Sequence, residues 1–362
     1  MKRFLSILLI FFLFGSGCAP KADHIDGFAV VYDDHSFYLI DREGNLFSLS
    51  AYDEIVGEMG PYLIVKKGHR FGYIRNTGEE ITPMIYDMAM PFSEGLAVVK
   101  TNNSFHTINT LGETVFSFEE GISSYSRFSD GLLVVEQNGR FGYMDTNGTV
   151  VIEPIYDDAH PFSEGKAAVG HLLNGELVYA FIETNGSPLT PYEFRSVGTY
   201  KNGFVPVAKE KNAQGNYLYG YLNEFGSLAI PYSYETAMNF HEGLAVIGNY
   251  ISKIGGRVTY TFMDYRYIDT TGTIVLDPNQ AFVGIFYGNF YPGTFENDVS
   301  RFFFHSWGVY DKTMEQIVKP SYMEMSDFKN GYAVVRKYFD QYGIIDADGN
   351  IVVEIKYRKV LY

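Results

Sequence analysis

Apolar positions along this chain come in short runs of strand length, with no long helical stripe. One kind of run follows an aromatic residue, two or three polar residues and a glycine. It is seen in Phe92-Ser-Glu-Gly-Leu-Ala-Val-Val99, Phe128-Ser-Asp-Gly-Leu-Leu-Val-Val135 and Phe162-Ser-Glu-Gly-Lys-Ala-Ala-Val169. It returns at Tyr200 to Val207, Phe240 to Ile247 and Phe328 to Val335. A second run is aromatic-Gly-aromatic, as in Phe71-Gly72-Tyr73, Phe141-Gly142-Tyr143, Tyr219-Gly220-Tyr221 and Tyr342-Gly343-Ile344. Each leads into a turn with Asp, Asn or Arg first and Gly fourth. A third run ends in Pro and then Tyr, as in Ile152-Glu-Pro-Ile-Tyr156 and Val318-Lys-Pro-Ser-Tyr322. Proline cannot donate to a sheet ladder, so it suits a strand end or edge.

The turn glycines fall at 44, 78, 112, 148, 186, 226, 272 and 349, and Met314 holds the equivalent slot. Nine units follow, each predicted to be three short antiparallel strands. A fourth, short strand is predicted between Tyr86 and Phe92. Alternation places Phe71 and Tyr73 on one face and Gly72 and Ile74 on the other. The missing side chain of Gly72 lets a neighbour approach, most simply the next unit. The expected fold is all-β: a tandem array of antiparallel β-meander units, propeller-like, with an open β-solenoid or superhelix as the alternative. The first unit, about Asp26 to Asp53, lacks the Pro-Tyr element and reads as a cap or a closing blade.

These elements, recurring in fixed order, resemble the bacterial WG repeat, named for a Trp-Gly pair in the second strand. Residues 71–99 and 141–169 follow its pattern closely. Only Trp307-Gly308 keeps the literal pair; Phe71, Phe141, Tyr219 and Tyr342 stand in for Trp. Phe105-His106 loses both members, and Tyr179-Ala180 loses the glycine. The resemblance extends over about residues 26–360. It implies an all-β repeat architecture and export in bacteria, and it implies no general reaction.

Composition narrows the function classes. Aromatics make up 17% of the 362 residues, and hydrophobic residues 46%, which excludes global disorder. With 28 Lys plus Arg against 43 Asp plus Glu, the formal charge is −15, the wrong sign for a nucleic-acid surface. Residues 1–17 read as a signal peptide: basic Lys2 and Arg3, the apolar run Phe4 to Phe14, then small residues. Cys18, the single cysteine, follows directly. This resembles a lipobox, with Gly15 where Leu is usual. Residues 18–25 would then be the lipidated Cys18 and its tether, and residues 26–362 the repeat array. The expected address is a bacterial cell membrane or outer membrane, facing the periplasm or the outside. No later stretch approaches the ~20 apolar residues of a membrane helix.

Candidate chemistry is sparse. Glu94, Asp130, Glu164 and Glu242 all occupy one repeat slot, which marks a turn preference and not a catalytic pair. Asp157-Asp158 likewise shares the Tyr-Asp slot of Tyr86-Asp87. His160 and His241 flank anchor aromatics and read as surface-loop histidines. No zinc-ligand spacing is present, and Asp346 to Asn350 reads as a hairpin turn, not a calcium loop. No cofactor is expected. Two acids, Glu296 and Asp298, read as lying off the repeat and are the best candidates for a glycan-acting enzyme. The stretch Phe282 to Phe295 is richer in aromatics than a repeat requires. Phe286, Tyr287, Phe290, Tyr291 and Trp307 are therefore candidate partner-binding residues, with packing at an irregular seam as the alternative. The expected function is a non-enzymatic, envelope-anchored binding or scaffold module for a protein or glycan. A structural role in envelope or surface assembly is the alternative.

Overall fold

The computed structural model describes residues 27–33, 35–57, 60–255, 258–277, 291–296, 298–304 and 306–362. Among them the only regular elements are strands, grouped into nine small antiparallel sheets, the blades of a closed propeller. Eight sheets have four strands and one has three. The fourth blade represents the plan. A short strand, Ile122–Ser123, is followed by Leu132–Gln137, Arg140–Asp145 and Val150–Tyr156, paired in chain order. The short strand predicted after Tyr86 is Met88–Ala89. It pairs with Leu96–Thr101 and so opens the third blade.

Closure is visible in the first blade. Its short strand is Lys359–Leu361, which pairs with Ala29–Asp33 through Val30↔Leu361, Val31↔Val360 and Tyr32↔Lys359. The first unit is thus the closing blade, and the ring is not an open solenoid. Closure leaves no terminal sheet that needs a cap.

Each blade is covered on both faces, which is why the first long strand reads as an unbroken apolar run. In the fourth blade, Val134 and Tyr143 pack with Phe162, Ala167 and Val169 of the fifth. Leu133, Val135 and Met144 pack the other way, on Val98 and Phe105 of the third. The core is therefore a series of inter-blade layers. Its recurring unit is an aromatic pair: Tyr143 against Phe162 at 4.7 Å, Tyr73 against Phe92 at 4.9 Å and Tyr221 against Phe240 at 4.9 Å. Burying a ring of this size contributes about 1.5–3 kcal/mol. The tyrosine hydroxyls are also satisfied: Tyr143 donates to the His160 carbonyl at 2.8 Å and Tyr73 to that of Met90 at 2.6 Å.

The signature glycine faces its own blade, not the next unit. A Cβ on Gly72 would lie 2.8 Å from the carbonyl oxygens of Thr82 and Pro83, on the adjoining last strand. On Gly142 it would lie 2.7 Å from the Glu153 carbonyl carbon. At these points the last strand bulges inward, and the pairing slips between Phe141 and Tyr143 and again between Tyr143 and Met144. The proline within the bulge, Pro154 in this blade, needs no ladder partner. The same double slip accompanies Gly72, Gly220, Gly308 and Gly343. Where Tyr38 holds the slot there is no slip, and where His106 or Arg266 holds it only the second slip remains, at Thr107/Ile108 and Tyr267/Ile268. Where Ala180 holds it, the last strand is reduced to isolated bridges, Tyr179↔Phe194 and Ile182↔Pro188.

Candidate binding faces of the ring

The two ends of the blades give the ring two different faces. On one lie the anchor turns and the turns ending in Gly. Ser93-Glu-Gly-Leu96 is a two-residue hairpin turn closed by Ser93 N–H to Leu96 O (2.9 Å) and the reverse bond (3.0 Å). Glu94 and Gly95 have φ of 53° and 80°, the double left-handed geometry that such a turn requires. Successive turns tie to each other. The hydroxyls of Ser93, Ser129 and Ser163 donate to the carbonyls of Phe128, Phe162 and Tyr200 at 2.6–2.8 Å. Glu94 accepts from Gly131 N–H, Asp130 from Gly165 N–H, and Glu164 from Asn202 and Gly203 N–H, at 2.7–3.0 Å. Neighbouring blades diverge away from the axis, so this same-slot belt marks the axial edge of the sheets. The repeated acid is therefore an inter-blade clasp, a reason beyond turn preference.

Glu296 and Asp298 belong to this belt, contrary to their sequence reading as off-pattern acids. The Glu296↔Val299 bridge repeats Ser93↔Leu96, and Asp298 has φ of 64° in the glycine slot. Insertions had hidden the register, and Phe295, fully buried against Tyr267 at 5.1 Å, is its anchor aromatic. Lys312 then bridges Asp298 (2.6 Å) and Glu242 (3.2 Å) between the seventh and eighth blades.

The opposite face carries the hairpin tips. Here the Tyr-Asp slot works: Asp157 accepts Leu172 N–H at 3.0 Å and pairs with Arg140 at 2.7 Å. The Leu172 N–H, with His171 and Arg140, holds the Asp157 carboxyl below the usual carboxylate range. Asp87 repeats the arrangement with Asn102 N–H and Arg70. Apolar side chains stand exposed around these tips, among them Ile155, Leu172, Leu173, Tyr338 and Phe339, the last 88% exposed. The seventh blade extends furthest. Leu244–Gly255 and Val258–Asp269 pair without a break, each 12 residues long against 6 in the fourth blade. The extra pairs carry this ribbon about 20 Å past a six-residue hairpin.

The candidate residues are distributed as follows. Cys18, Phe286, Tyr287 and Phe290 lie outside the described residues. Tyr291 falls in the short strand Tyr291–Pro292, paired with Phe303. Trp307 sits in the signature aromatic slot, partly buried against the eighth-blade core, with the Arg301 guanidinium 4.4 Å over its ring. His160 lies two residues before its anchor Phe162, and His241 opens the anchor turn after Phe240 through the His241↔Leu244 bridge; both are partly exposed. His160 approaches Asp158 at 3.4 Å. Asp346 Oδ1 accepts Asp348 and Asn350 N–H, so this segment is a turn. Among the described residues no group of three or more His, Cys, Asp or Glu is arranged to hold a metal ion. The belt was missed in the sequence, although the recurring Ser-acid-Gly spacing was its signal.

The class of protein is thus a closed nine-bladed β-propeller with a clasped turn face and a looser tip face. The family model of the WG containing repeat matches five segments: residues 71–104, 141–170, 219–248, 307–338 and 342–361. Each starts at the aromatic before a signature glycine, so the matched units are the five double-slip blades. No curated protein matches the sequence. Among solved structures, a eukaryotic initiation factor is similar over 93% of this chain and 98% of its own, at 11% identity and a TM-score of 0.61, which shows the fold alone. BamB from Moraxella catarrhalis aligns over 92% and 97% at 11% identity and a TM-score of 0.42. The computationally designed Ika8 protein aligns over 74% and 87% at 12% identity and a TM-score of 0.41.

Proposed function

We propose that this protein is an exported, lipid-anchored binding module that presents its tip face to a partner in the cell envelope. The observation that carries the reading is the position of Gly27. Its N–H bonds the carbonyl of Asn76, in a turn-face hairpin, at 3.1 Å. A tether from Cys18 to residue 26 reaches at most about 30 Å. The turn face is then held towards the membrane, and the tip face, with the 244–269 ribbon and Phe339, is turned away. The engagement of the repeat acids in clasps supports a binding role over a catalytic one. Rigid repeat arrays suit such a role because their loops can vary on an unchanging frame.

Cys18→Ser should release the protein from the membrane fraction; continued attachment would remove the anchor. In that background, single cysteines at Phe225 on the turn face and Phe339 on the tip face are reattached through an engineered lipid signal and probed with a bulky maleimide. Phe339→Cys should react faster in cells. Cross-linking in cells should capture a partner that is lost on Tyr338→Ser/Phe339→Ser; a separate deletion of residues 286–291 tests the aromatic stretch for partner binding. Equal labelling, or capture indifferent to Tyr338→Ser/Phe339→Ser, would defeat the tip-face reading.

A further inference from the structure

The anchor turn recurs in the third to ninth blades, from the Ser93↔Leu96 bridge to Lys329↔Tyr332. In those blades a two-residue turn leads into the first long strand. In the first blade the short strand and the first long strand are Lys359–Leu361 and Ala29–Asp33, from opposite ends of the described chain, and no such turn joins them. A cavity of about 580 Å³ opens there on the turn face, lined by the ninth, first and second blades. Three of its lining rings form a cluster: Phe28 lies 5.0 Å from Tyr332 and from Tyr362, and Tyr332 lies 5.7 Å from Tyr362. The Arg42 guanidinium lies over two of them, 5.0 Å from Phe28 and 5.4 Å from Tyr332. Arg42 and Glu43 are adjacent in sequence, and both line the cavity. Asn76, Asn330 and Lys329 complete its polar wall.

We infer that this seam cavity binds a neutral saccharide. The inference rests on the reading of the protein as a binding module and adds a ligand class. Aromatic rings beside a planar donor, a carboxylate acceptor and amides match the alternating C–H faces and hydroxyl edges of a sugar ring. The guanidinium donates and the carboxylate accepts, as paired hydroxyls require. Lys329 and Arg42 are offset by Glu43 and by Glu296, whose field reaches Tyr362. That balance disfavours a strongly charged ligand.

The test uses the chain from Cys18 onward with Cys18→Ser, titrated with chitotetraose, cellotetraose and maltotetraose by calorimetry. Polyglutamate and a uronic-acid tetramer serve as the anionic arm. At least one neutral probe should bind saturably. Arg42→Ala and Arg42→Lys should each weaken it about tenfold or more, since lysine loses the planar fork. Tyr332→Leu should abolish binding, with thermal melting to verify folding, and Phe339→Ser on the far face should leave it unchanged. Three results overturn the inference. They are no neutral probe binding (whether or not the anionic probes do), binding indifferent to Arg42→Ala, and binding only after removal of residues 18–26. Partner capture through the tip face alongside any of these would retain the binding-module reading and discard the saccharide.

Discussion

The fourth and fifth blades stand side by side and differ at the signature slot, Gly142 against Ala180. The fourth has a full last strand with a double slip in pairing. The fifth has only isolated bridges there, although Thr190 still accepts Phe181 N–H at 2.9 Å, as Thr82 accepts Tyr73 N–H in the second blade. Both blades hold their place in the ring. Their inter-blade layers are alike, Tyr143 on Phe162 at 4.7 Å and Phe181 on Tyr200 at 5.2 Å. The glycine therefore shapes the outer part of a blade, while the aromatic pair and the belt make the ring. This is why four units tolerate its loss.

Alkali should have the largest effect on this pair. Burial pushes the Tyr143 hydroxyl far above its ordinary range, whereas the fifth blade carries Phe181 in the same place. Tyr73, Tyr221 and Tyr267 are raised in the same way, chiefly by burial. Above pH about 10 the unfolded chain loses protons that the folded chain keeps, so stability is complete below that pH and falls as pH rises. Exposed tyrosines such as Tyr338 should ionise first with the fold intact, and the remaining tyrosinate absorbance should appear together with cooperative unfolding; Tyr143→Phe should blunt that second step. The full tyrosinate signal appearing while the circular dichroism stays native would contradict the buried hydroxyls.

Next in size is the slot itself. Gly142→Ala forces a methyl group against the bulge and should lower stability by about 1–3 kcal/mol in urea unfolding. Ala180→Gly should cost at most about 1 kcal/mol, by chain entropy alone. Equal losses would break the comparison. The smallest expected effect is in the belt. Glu164→Gln keeps the shape but weakens the clasp on Asn202 and Gly203, with a loss below about 1 kcal/mol that shrinks in high salt. A larger loss would move the main weight of ring assembly from the aromatic pairs to the turns.

Much of this was legible because repetition exposes constraint. Nine turn slots, Met314 included, have the positive φ that their glycines implied, with Met314 at 65°. The Phe71/Tyr73 face and the Ile74 face separate as alternation required. Glu296 and Asp298 were misplaced because irregular spacing concealed their register, which only strand pairing restored. Gly72 was assigned to the wrong neighbour because a pattern one strand long does not reveal what the adjoining strand does.

The sequence by itself determined the strands, the turns and the count of units, since these depend on side-chain alternation and local backbone geometry. Only the tertiary structure decided that the ring closes, that the repeated acid clasps the next blade, and that the closing blade leaves a cavity. Each of these joins residues far apart in the chain, where contact is set by how twisted sheets pack around an axis and not by any local preference.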